Sequence, residues 1–204
     1  MSDDDFTKCW QYQQALRMQP AQDQIYRRVW HKDVVIERVA REDDDPANVL
    51  DRQFHIDTRV QLPGGGCFTL QEKALSHSLI HWNTFTVEYH QDRRDPTVPG
   101  EFFHLAAQFY LSGYLDETGE DYEFWNIIKW PEFLTWHKEL YGDNPPLHDN
   151  KSSWADFIYP KLDLMPIHLF HCRSVDFDTI PELLETGRQM DFSEIDRRIE
   201  EGSA

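Results

Sequence analysis

No run of apolar residues in this chain approaches the roughly 20 needed to cross a bilayer as a helix. The amino terminus opens on acids at 2–5 rather than on a basic and then apolar leader. The expectation is a soluble protein without a membrane partner. Cysteine is also scarce: Cys9, Cys67 and Cys172 form an odd set with no CxxC spacing, so neither a disulfide framework nor a zinc ribbon is indicated, and a reducing cytoplasm fits best. Positive charge is the third shortage. With 20 Lys and Arg against 37 Asp and Glu the net charge is −17, the reverse of the basic surface that grips phosphate backbones non-specifically. The acids cluster at 2–5, at 41–46 and from Asp176 to Glu201. Such runs are solvated surface before anything else, which weakens that objection.

What remains is an ordinary globular composition on a chain of 204 residues, long enough for one substantial core. The expectation is a single domain over 1–204, with the core at about 20–140 and a carboxyl-terminal extension, 141–204, that ends in an acidic tail. A short helix is predicted over 20–31, with Pro20 suited to its first turn and Ile25, Tyr26 and Val29 facing a core. The β-branched stretch 33–39 reads as an edge strand or extended connector. From residue 51 the hydrophobic period becomes two: Phe54, Ile56, Thr58 and Val60 alternate with His55, Asp57 and Arg59, which predicts a strand with Asp57 in its middle. The turn 62–66 (LPGGG) reverses the chain into a second strand, 67–75, and a third is predicted at 83–91, the three in meander order. Beyond a loop at 92–100, a helix from 101 to about 107 passes into a strand near Tyr114. A strand at 123–130, a helix from Pro131 to Gly142 and a late helix at 191–202 follow.

A charge inside a half-buried strand needs a reason. Strand alternation sets Gln71 and Lys73 on one face of the second strand, with Glu72 pointing the other way, and Glu88 could project toward the same place from the third strand. Divalent magnesium takes hard oxygen ligands, usually one or two carboxylates with water and phosphate oxygens completing the shell. Carboxylates on neighbouring strands next to a lysine suit that chemistry.

An aspartate, a Gly-rich turn, then an acid or amide two residues before a lysine is a pattern that resembles the PD-(D/E)XK, or restriction-endonuclease-like, nucleases, particularly small viral or bacterial members. Asp57 matches the aspartate, Gln71, fourteen residues on, stands where the family usually has an acid, and Lys73 matches the lysine. The resemblance covers roughly 20–130. It implies an α/β fold with a central mixed sheet flanked by helices, and hydrolysis of DNA phosphodiester bonds with Mg2+ or Mn2+ in the cytoplasm of a bacterial or virus-infected cell. By the same resemblance Asp57 holds the metal, with help from Glu88 and Glu72, and Lys73 positions the nucleophile and offsets developing charge. An amide is a weaker ligand than a carboxylate, so Glu88 completes the set, or Asp23 from the first helix, or Glu72 turned inward by a bulge. Ile56 stands where the family has proline.

Other readings of the same residues stay open. Asp57 and Lys73 could be an exposed cross-strand ion pair worth about 0.2–1 kcal/mol. The chain could also be an inactive acidic module that binds a basic partner or mimics DNA, or a subunit that works with a protein partner or a second copy of itself. The segment 168–172 (HLFHC), with His148, offers nitrogen and sulfur but reads first as a structural cluster. The aromatics of 108–114 and the tryptophans, Trp125, Trp130 and Trp136 among them, read as packing residues. Basic residues pair up at Arg27, Arg28 and Lys32 and again at Arg93 and Arg94, too few to make a groove.

Overall fold

The computed structural model of the chain describes residues 10–39, 50, 53–149 and 154–178. In chain order these form α1 (Trp10–Val29), β1 (Val35–Arg38), β2 (Thr58–Gln61), β3 (Cys67–Leu75), β4 (Val87–His90), α2 (Glu101–His104), β5 (Phe109–Leu115), β6 (Tyr122–Lys129), α3 (Trp130–Tyr141), β7 (His148–Asp149), β8 (Asp156–Ile158), β9 (Phe170–Arg173) and α4 (Ser174–Asp178). A six-stranded mixed sheet has the order β1-β2-β3-β5-β6-β9, and β4-β8-β7 make a second, smaller sheet. All pairings are antiparallel except β3 with β5. A parallel pair requires a crossover, and residues 76–108 supply it. The fold is therefore mixed α/β with a central mixed sheet flanked by helices.

The large sheet buries both faces. On one side Met18, Ala21, Ile25 and Tyr26 of α1 pack on Val60, Phe68, Leu70, Leu111 and Ile127. On the other, Tyr110, Tyr114 and Ile128 meet Phe85 and Val87, Ile158 of the small sheet, and Trp130 and Phe133 of α3. Tyr110, Tyr114, Trp125 and Trp130 are buried, as expected of packing aromatics, whereas Trp82 and Trp154 are exposed, against that expectation. The edge-strand expectation for 33–39 holds, since among the described residues β1 pairs on one side only. Helix α3 has Pro131 in its first turn and ends at Gly142, whose N–H bonds the Lys138 carbonyl.

Four expectations need correction. Helix α1 starts ten residues before Pro20, which lies in its interior. A mid-helix proline lacks a hydrogen bond and costs about 3 kcal/mol, but buried Met18, Ala21, Gln22, Ile25 and Tyr26 run through it at helical spacing while Leu16 and Pro20 face solvent. Packing here outweighs propensity. Second, β2 is shorter than the two-residue pattern suggests. His55 takes a left-handed backbone conformation at φ 48°, which interrupts the extended run and leaves Asp57 just ahead of the strand rather than in its middle. Third, the meander stops after β3: β4 leaves for the small sheet and β5 takes its place beside β3. Fourth, the helix expected to about residue 107 ends at His104. The helix expected at 191–202 lies outside the described residues.

At the sheet's far edge His171 lies between Trp30, its ring stacked at 5.3 Å, and Phe109 at 4.9 Å. Burial, with Lys129 adding to it, pulls its pKa down to about 4, so the folded protein resists a proton that the unfolded chain accepts near 6.5. The stability this neutral ring contributes is whole above pH 6.5 and is lost as pH falls through about 4. Thermal unfolding followed between pH 7.5 and pH 4.5 should therefore show a falling midpoint, and His171→Phe should flatten that dependence.

Candidate functional site

Strand β3 carries two different chemistries because its side chains alternate across the sheet. Phe68, Leu70, Glu72 and Ala74 point toward α1, and Gln71 and Lys73 point away. On the α1 side Glu72 is held by the Tyr26 hydroxyl, by the Arg38 guanidinium and by Thr58 Oγ1 at 2.7 Å. Arg38 also bonds Thr58 at 2.6 Å and Asp23 at 2.6 Å, while Arg27 approaches Asp23 at 3.6 Å. Burial raises the pKa of Glu72; Arg38 works against that rise and Asp57 adds to it. Arg38 stands between two carboxylates as their internal counterion. This answers the question of which acid could supplement Gln71: Asp23 and Glu72 are already committed to Arg38, and no bulge turns Glu72 toward the lysine.

Asp57 occupies an unusual place in the ladder. Its N–H bonds Leu70 O at 2.9 Å, but its carbonyl accepts Val39 N–H at 2.9 Å, just past the end of β1. The carboxylate fills the gap on the other side, Oδ2 accepting the Glu72 N–H at 2.8 Å. The side chain thus replaces a backbone acceptor where β2 and β3 begin to part, beside Gln71.

On the face away from α1, Lys73 donates to Thr86 O at 3.1 Å and lies 5.3 Å from the centroid of the Phe157 ring. Phe157 pairs with Glu88 across the small sheet. Burial, then the neighbouring Glu101 carboxylate, raises the pKa of Glu88, and Lys73 offsets part of the rise. Glu101 is a site residue that the sequence reading did not select. It is buried on α2, and its Oε1 accepts the Tyr110 hydroxyl at 3.0 Å. Burial and then Glu101 keep that hydroxyl protonated well above the ordinary tyrosine range, with smaller pushes from Asp57 and Glu88. One field therefore couples Asp57, Lys73, Glu88, Glu101 and Tyr110. The signal for Glu101 was the glycine before it. A Cβ on Gly100 would meet Glu88 O at 2.7 Å and Tyr89 C at 2.9 Å, so only glycine lets α2 approach β4 closely enough to place the two glutamates together.

Gln71 pairs across the sheet with Tyr110, and its Oε1 is buried without a hydrogen-bond partner among the described residues. A buried carbonyl oxygen left unpaired costs about 1–3 kcal/mol, a cost that a cation or its bound water would remove. The described residues form no group of three or more His, Cys, Asp and Glu side chains able to hold a metal. Magnesium is commonly held by one or two carboxylates with waters and substrate oxygens, and Asp57 with Gln71 Oε1 fits that demand in donor type. The histidines expected as a structural cluster do not converge. His171 faces Trp30, His168 lends its backbone carbonyl to Lys129, and His148 lies on β7 near Trp82.

The chain is a mixed α/β protein in which the Asp57 carboxylate accepts the Glu72 N–H where β2 and β3 part, while Lys73 and Glu88 lie on the face away from α1. No protein-family model, curated protein or solved structure matches the chain.

The ion cluster on the α1 side predicts a sharp contrast. Arg38→Ala leaves Glu72, only 10% exposed, without its counterion and should cost about 3–5 kcal/mol in denaturant unfolding. Glu72→Gln in the Arg38→Ala background should recover part of that loss.

Proposed function

We propose that the protein is a metal-dependent nuclease that hydrolyses DNA phosphodiester bonds, with a restriction-endonuclease-like sheet as its frame. The observation that carries this reading is the Asp57, Gln71, Lys73 spacing around the β2–β3 hairpin, with the Gln71 carbonyl oxygen buried and without a partner among the described residues. Two committed acids, Asp23 and Glu72, narrow the candidates on this side to Asp57, Glu88 and Glu101. The parallel β3–β5 pair, reached by a long crossover, supports the frame.

Asp57 and Gln71 would hold magnesium or manganese. Bound there, the ion supplies an activated water and stabilises charge on the phosphate. Lys73 spends one of its three donors on Thr86 O and keeps the others for a phosphate oxygen or the attacking water. Its ammonium offsets the negative charge that grows on the phosphoryl oxygens. Glu88, with its proton affinity raised by burial and by Glu101, is suited to receive the proton that the attacking water gives up. Tyr110 fixes Glu101 through its hydroxyl, and Glu101 in turn tunes Glu88.

Linear and supercoiled DNA incubated with Mg2+ or Mn2+ test this directly. Asp57→Asn keeps an oxygen to accept the Glu72 N–H, and Lys73→Met keeps the aliphatic stem. Both should lower cleavage by about 100-fold or more, with thermal midpoints near that of the wild type. Cleavage that survives both substitutions overturns the proposal. The reading as an inactive acidic module rests on the neutral Gln71 and the net charge of −17. It gains if the wild type cuts neither substrate yet retains a protein partner in a salt-sensitive manner.

A further inference from the structure

The small sheet raises a separate question: how a chain with a net charge of −17 could hold nucleic acid at all. Across this sheet Glu88, Phe157 and His148 stand in one row, and Lys73 reaches over Phe157. Exposed rings lie at both ends of β8. At one end Trp154 is 52% exposed, with the Arg94 guanidinium 4.0 Å and that of Arg93 5.1 Å from its ring centroid. Asp92 clamps Arg94 through contacts of 2.6–3.1 Å, and the Arg93 N–H bonds Trp154 O at 2.7 Å, so this platform is fixed in place. At the other end Trp82, 46% exposed, and Tyr159, 37% exposed, flank His148 at 6.2 and 5.0 Å.

We infer that these rings form a stacking track for single-stranded nucleic acid, which crosses the Lys73 site along β8 with bases on Trp154 to one side and on Trp82 and Tyr159 to the other. The inference rests on the nuclease reading and narrows its substrate to strands with unpaired nucleotides. Trp154 is three residues from Phe157 and Tyr159 two, at most about 10 Å and 7 Å of chain, so both lie within a few nucleotides of the lysine. Stacking on an aromatic ring needs no basic surface and accepts any base, which suits an acidic protein. Paired bases already stack within their duplex and cannot use such a track.

The test is binding without cleavage. Fluorescence anisotropy of a labelled oligothymidylate, and of a blunt duplex of equal length, is measured in EDTA at low salt (about 50 mM). The wild type should bind the single strand more tightly than the duplex. Trp154→Ala and Trp82→Ala should each weaken single-strand binding by about tenfold, and Trp154→Phe should retain most of it. Both indoles are about half exposed, so circular dichroism and thermal midpoints should match the wild type. The inference is overturned if the alanine variants bind as the wild type does, if the duplex is preferred, or if the wild type binds neither. Tryptophan-dependent binding by a protein that cuts nothing with Mg2+ keeps the track and removes the nuclease. Cleavage that is insensitive to both tryptophans does the reverse.

Discussion

The Arg38 guanidinium, partly buried between α1 and the large sheet, is the contact on which the rest of the arrangement depends. It joins α1 through Asp23, β2 through Thr58 and β3 through Glu72, while belonging itself to β1. Burial works against its charge, and Glu72, Tyr26 and Asp23 together outweigh that effect. Each ion here would be costly alone, and the cluster exists because every member is matched. Its effect on function is indirect. By consuming two carboxylates it closes the α1 face to any added cation, so chemistry is left to the opposite face.

That opposite face is built on different terms. Glu88 lies near both Glu101 and Lys73 there, and burial with the Glu101 carboxylate raises its proton affinity while Lys73 offsets part of the rise. The Gln71 carbonyl oxygen on the same face is buried without a hydrogen-bond partner among the described residues. The −17 charge of the whole chain is compatible with such a site if the substrate is held by rings rather than by lysines and arginines.

Much of this was legible in the sequence, and the misses have physical causes. The turn at 62–66 was readable because its glycines permit the reversal, with Gly65 at φ 90° and Leu62 N bonded to Gly66 O at 2.7 Å. The opposed directions of Glu72 and Lys73 followed from strand alternation. What could not be read was which strand would lie beside β3, since a parallel partner arrives from more than thirty residues away and leaves no local pattern. The pairing of Asp23 and Glu72 with Arg38 was hidden for the same reason: the three come from α1, β3 and β1. Glu101 was missed because a glutamate in a short amphipathic stretch looks like any solvated helix residue until Gly100 is seen to press against β4. The start of α1 was misjudged because proline is a strong local signal and burial on the opposite face of the helix is not.

Strand β3 also limits how this chain can change. Gln71, Glu72 and Lys73 are consecutive, and each is correct only for the face it meets. Loss of a single residue between the turn and Gln71 would rotate the triplet by one position. Glu72 would then face the lysine's surroundings without Arg38, and Gln71 and Lys73 would be driven into the pocket of the guanidinium. Changes in the length of the 62–66 turn do not carry that penalty as long as pairing from Cys67 onward is kept. The hairpin is therefore tolerant at its tip and intolerant in its second strand, an asymmetry in permitted insertions and deletions that a library of length variants would make visible.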